Sequence, residues 1–100
     1  MAMLRQRQPA FRSEKFRRLV ASLPCQNCGA DGGTQAAHRN ESKGMGLKTS
    51  DALVAALCGI CHHELDNGKN LTRDERRDMW NRAYITTIQA LIEQGHLVTN

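Results

Sequence analysis

Apolar residues recur at helical spacing in two stretches of the chain. Phe16, Leu19, Val20 and Leu23 share one face of a segment that follows Ser13, a residue suited to accept a helix N-terminal N–H. A helix is therefore predicted from residue 14 to about residue 22, ended by Pro24. Thr72 and Glu75 spell the capping pattern T-x-x-E and open a second, longer helix. Its predicted apolar stripe is Trp80, Tyr84, Ile88 and Leu91, and Gly95 suits its C-terminal stop after about Gln94. Between the two helices, residues 34–39 and 53–57 read as short strands. Residues 59 to about 66 read as a third helix, closed by Asn67-Gly68. Residues 29–33, rich in glycine, form a turn, and residues 40–50, with Gly44 and Gly46, form a loop. The first residues have no period and contain Pro9. The expected class is α+β, in the order helix, strand, strand, helix, helix.

One hundred residues with only 4% aromatic content make one small domain with a modest core. A metal staple would suit such a chain, and the cysteines supply one. They fall as Cys25-x2-Cys28 and Cys58-x2-Cys61, separated by residues 29–57. A two-residue spacer lets one tight turn aim two sulfurs at one ion, and two such turns complete a tetrahedral zinc shell with no open position. The alternatives are two disulfides or a redox dithiol, and the latter needs only one pair. There is no apolar run behind the basic N-terminus and no stretch of membrane-spanning length. The expected location is the cytoplasm, where paired cysteines are metal ligands before they are disulfides. The formal charge of +4 favours a polyanionic partner, although ordinary surface charge gives the same balance.

The order strand, strand, helix, bracketed by the two cysteine pairs, carries further chemistry. Ala37-His38 ends the first strand, Gly44 to Lys48 and Ser50-Asp51 follow, and then Leu57-Cys58, Cys61-His62, Glu64 and Leu65. This combination resembles the HNH endonuclease superfamily of ββα-metal nucleases. More particularly it resembles small phage and prophage HNH-like proteins, including the Ref-type nucleases that act with a recombinase. The resemblance covers residues 25–66. It implies a zinc-stabilised ββα-metal core, here flanked by an N-terminal helix and a long C-terminal helix. A basic flexible arm at residues 1–12 precedes a single domain at 13–100, with its core at 25–67 and C-terminal helix at 72–95.

The resemblance also implies a set of roles. Hydrolysis of a phosphodiester needs a base for water and an electrophile for the phosphoryl oxygens. His38 matches the family's general base. His62 and Asp66, four residues apart on one helical face, match its metal pair, with an aspartate in place of the second histidine. A carboxylate there favours magnesium or manganese as the catalytic ion, beside structural zinc. Asp51 is the candidate to orient and polarise His38, with Asn40 competing and a simple turn role as the plain reading of Asp51. His63 suits a phosphate contact or solvent, or replaces His62 if the helix starts differently. Two departures stand out: Ala37 occupies a position where the family often carries a metal ligand, and the family's middle asparagine is absent at its usual distance.

Arg39, Lys43 and Lys48 surround this site in sequence and suit phosphate contacts, while Arg5, Arg7, Arg12, Lys15, Arg17 and Arg18 make the arm and first helix basic. The expected partner is nucleic acid, with DNA preferred, and a recombination protein is a further candidate. No membrane partner is expected. The Trp80-Tyr84-Ile88 stripe suits packing on its own domain or a homodimer. The expected activity is metal-dependent endonuclease cleavage, set against a non-catalytic, zinc-stabilised nucleic-acid-binding accessory.

Overall fold

In a computed structural model, which describes residues 11–39 and 50–97, most elements begin and end close to where local chemistry places them. Helix α1 spans Glu14–Ala21, and the Ser13 hydroxyl accepts the Phe16 N–H at 3.0 Å. Strands β1, Thr34–His38, and β2, Val54–Cys58, pair antiparallel. Their register runs from Thr34 opposite Cys58 to His38 opposite Val54. Helix α2 spans Gly59–Asn67 directly after β2. It closes on Gly68, where a Cβ would stand 2.5 Å from the Glu64 carbonyl oxygen, so glycine is needed there for space. Helix α3 spans Arg73–Glu93 behind the complete Thr72–Glu75 capping box. It ends in a Schellman turn: Gly95 takes φ +81°, and His96 donates to the Leu91 carbonyl at 2.9 Å. The molecule is thus a small α+β fold of a two-stranded sheet and three helices.

Side-chain alternation along the strands sorts the core into two faces. Ala37, Ala55 and Leu57 face α2 and the first half of α3, packing with Leu65, Trp80, Ala83 and three of the cysteines. Ala36, Val54 and Ala56 face the other way, onto Val20, Leu23 and Leu91, with Phe16 and Leu19 alongside. The apolar face expected for α1 is therefore the one that packs.

The stripe expected on α3 is turned. Trp80 and Leu91 are buried, but Ala83 and Thr87 accompany them instead of Tyr84 and Ile88, which are half-buried. The reason is the exposed edge of β2. Thr87 accepts the Ala56 N–H at 3.0 Å and donates to the Ala83 carbonyl at 2.7 Å, so a small hydroxyl closes an edge that an isoleucine would leave unpaired. On the same edge, the Gln26 N–H donates to the Ala56 carbonyl at 2.8 Å. Thr87→Val keeps the shape and removes the acceptor, so it should cost about 1–3 kcal/mol in urea unfolding. A cost near zero would show that the edge contact contributes nothing.

Candidate metal centre and histidine site

The two cysteine pairs meet. The ligand atoms of Cys25, Cys28, Cys58 and Cys61 all lie within 4.8 Å of one another, and the Cys28 and Cys58 sulfurs are 3.7 Å apart. Sulfurs bound tetrahedrally to zinc at about 2.3 Å would be about 3.8 Å apart. The cysteines are free, so neither pair is a disulfide. The first pair sits on the turn after Pro24, where the N–H groups of Asn27 and Cys28 both point at the Cys25 sulfur at 3.4 Å. The second straddles the end of β2 and the first turn of α2. Asn27 links the two turns by donating its side-chain amide to the Cys61 sulfur at 3.3 Å.

The electrostatics of the cluster suit a cation. Burial alone would raise the Cys25 thiol, but the backbone N–H groups of Cys28, Cys58 and Asn27 outweigh it and draw the pKa down to about 6. Cys61 goes the other way: burial pushes it up to about 12, with Asn27 opposing and the neighbouring sulfurs reinforcing the rise. Four sulfurs this close cannot all ionise without a positive charge among them, and the donor set fits zinc.

On the α1 side of the sheet, His38 ends β1, and its Nε2 is 2.8 Å from Asp51 Oδ1. Asp51 is 1% exposed and collects three further donors. Arg12 Nη1 donates to Oδ1 at 3.1 Å, and the Ser13 N–H and Arg17 Nε donate to Oδ2 at 2.8 and 3.0 Å. The Asp51 N–H donates to the Phe11 carbonyl at 2.9 Å. Burial would raise the Asp51 carboxyl, but His38, the Ser13 N–H and the charges of Arg17 and Arg12 overcome it and hold the pKa at about 2. An ionised carboxylate only accepts, so His38 Nε2 is the donor in this bond.

This network carries a pH dependence. The folded pKa lies below the unfolded value, so its stabilisation is complete above about pH 4 and is lost as pH falls through about 2. It amounts to about 2 kcal/mol. Asp51→Asn should be less stable by about that amount at neutral pH. Urea unfolding of the two zinc-loaded chains at neutral pH measures it. Equal midpoints would contradict this assignment.

On the α2 side, His62 and Asp66 share one face as expected, with Nε2 3.2 Å from Oδ2. The 3.2 Å separation is an ordinary contact between side chains four residues apart on one helix. Gln35 Oε1 lies 2.6 Å from His62 Nδ1 and accepts a hydrogen bond from its N–H. Gln35, Gly59, His62, His63 and Asp66 line an open groove there, with His63 exposed.

The structure therefore joins His38 to Asp51 and His62 to Asp66, but it does not join the two pairs. His38 shares the sheet face of Ala36 and Val54, whereas Gln35, which holds His62, shares the face of Ala37. Position 37, where the resemblance called for a ligand, is a fully buried alanine packed with Leu65 and Trp80. Arg39 follows β1 and pairs its N–H with the Leu53 carbonyl at 3.1 Å. Asn40, Lys43 and Lys48 lie outside the described residues. Sequence reasoning gave no role to Gln35 or Asn27. Gln35 carried a signal in its place two residues from Ala37 on the same strand face; Asn27 carried none beyond lying inside the first cysteine turn. No helix among the described residues is long and apolar enough to cross a membrane.

No family model and no curated protein matches the chain. A solved structure that shares the fold is that of a protein attributed to a bacteriophage, from Escherichia coli K-12, with a TM-score of 0.56 and 15% identity. The match covers 78% of this chain and 89% of that one.

Proposed function

We propose that this chain is a metal-dependent endonuclease that hydrolyses phosphodiester bonds in nucleic acid, DNA above all, in the setting of phage or prophage recombination and in the host cytoplasm. The observation that carries the reading is the His38–Asp51 pair at 2.8 Å, at the end of the first strand of a strand–strand–helix unit framed by four cysteines. Asp51 fixes the ring and its tautomer, which leaves Nδ1 as the base that takes a proton from the attacking water. Arg39, with the loop lysines Lys43 and Lys48, supplies positive charge for the substrate backbone. His62 and Asp66 would hold a magnesium or manganese ion, which supplies a Lewis acid for the phosphoryl oxygens. His63 adds a contact at the rim of that groove. The phage setting is supported by the shared fold with a protein attributed to a bacteriophage.

The test is incubation of the zinc-loaded protein with supercoiled plasmid and with circular single-stranded DNA, with and without magnesium or manganese. Nicking that requires the added ion is expected. Intact substrate under all conditions would leave the second reading, a non-catalytic zinc-framed nucleic-acid-binding accessory. One observation favours that second reading: His38 and Gln35, the strand residue bonded to His62, alternate to opposite faces of β1.

A further inference from the structure

The residues around Asp51 hold more positive charge than Asp51 needs. Two guanidinium groups converge on one carboxylate, and each spends only one nitrogen on it: Arg12 its Nη1 and Arg17 its Nε. Both side chains stay 42–43% exposed, so the remaining donors have access to solvent. Arg12 and His38 bond the same oxygen, at 3.1 and 2.8 Å, so their two nitrogens lie no farther apart than those two bonds laid end to end. Any anion gripped by Arg12 is thereby brought beside the imidazole.

An aromatic ring stands next to this charge. Phe11 is 51% exposed although its carbonyl is fixed by the Asp51 N–H. Its ring meets Phe16 edge to face, with centroids 6.3 Å apart. Phe16 is the aromatic partner of this ring among the described residues, and half of the Phe11 surface faces water. Guanidinium donors beside an exposed aromatic are the two parts of a single-strand site: the cations take the backbone phosphate and the ring takes a base. A paired, stacked base has both faces covered, so such a ring favours unpaired nucleic acid.

We propose that Phe11, Arg12 and Arg17 form a grip for single-stranded nucleic acid beside His38, with a base stacked on Phe11 and its phosphate held between the two arginines. The proposal rests on the nucleic-acid reading above and names its substrate class. An α1 face first read only as basic thereby becomes a specific site, with Asp51 holding its parts in place.

The test is fluorescence anisotropy of short labelled DNA, single-stranded and duplex, with the zinc-loaded full chain and no magnesium or manganese. The single strand should bind more tightly than the duplex. Phe11→Ala, which touches no ion pair, should weaken single-strand binding about tenfold and duplex binding little. Arg12→Gln/Arg17→Gln should lower the salt slope for the single strand by about 1.4. Arg73→Gln, an exposed position on α3, should leave the slope within experimental error of wild type. If losing both arginines releases α1, Arg12→Lys/Arg17→Lys keeps the charge on Asp51, and should keep the slope while weakening binding. Phe11→Ala with unchanged zinc content and helicity that binds the single strand as well as wild type would overturn the grip. Equal affinity of wild type for both DNA forms would also overturn it. Failure of the nuclease reading is a separate result, because binding is scored without the cleavage metal and cleavage without reference to Phe11.

Discussion

Stripping zinc from the Cys25–Cys28–Cys58–Cys61 cluster is expected to unfold the chain. The four sulfurs tie the turn after α1 to the junction of β2 and α2, and three of the cysteines are part of the core that contains Leu57, Leu65 and Trp80. The sheet they anchor has only two strands, and a lone hairpin has little stability in water. Zinc bound by four thiolates contributes on the order of 10–16 kcal/mol, as much as or more than the roughly 5–15 kcal/mol by which a small domain is stable. The chelated protein should therefore lose its cooperative thermal transition and the burial of Trp80, read by circular dichroism and tryptophan fluorescence. Cys58→Ser should behave the same way. A chelated chain that melts like the zinc-loaded one would show that the cluster is not a staple.

His38→Ala is expected to slow phosphodiester cleavage by about 10²–10⁴-fold while leaving the fold standing. Asp51 has four donors, and removing the imidazole leaves three of them: Arg12, Arg17 and the Ser13 N–H. The network that anchors α1 therefore survives, and the loss falls on the chemistry. Asp51→Asn should act differently, because its amide sets N–H groups against donors that need an acceptor. That variant should lose both the ring's fixed tautomer and part of the stability of the α1 contact. Single-turnover rates beside urea midpoints separate the two. A His38→Ala chain that cuts at the wild-type rate would remove His38 from the chemistry.

Local chemistry made most of the fold legible. Ser13, the Thr72–Glu75 box and Gly95 mark helix ends by satisfying particular N–H and C=O groups, and each does so in the structure. The strands needed only a shift of a residue at their ends, since Val54–Cys58 carries the second pair's first cysteine within the strand. The rotation of α3 was not legible, because Thr87 faces inward for the sake of a strand-edge N–H that no helical period records. The Arg12 and Arg17 bonds to Asp51 span 39 and 34 positions and leave no pattern in the sequence. His38–Asp51 and His62–Asp66 were each expected as pairs, and each is within bonding distance. That they stand on opposite faces follows from strand alternation combined with the side on which α2 packs, and only tertiary packing against Leu65 and Trp80 decides that side.

If His38, held by Asp51 within the cysteine frame, drives cleavage, the rate at which zinc-loaded protein nicks supercoiled plasmid in manganese shows it most directly, compared with His38→Ala of equal zinc content. Wild type should nick, and the variant should nick at least about 100-fold more slowly. Equal rates from the two proteins, or no nicking by either, would contradict it.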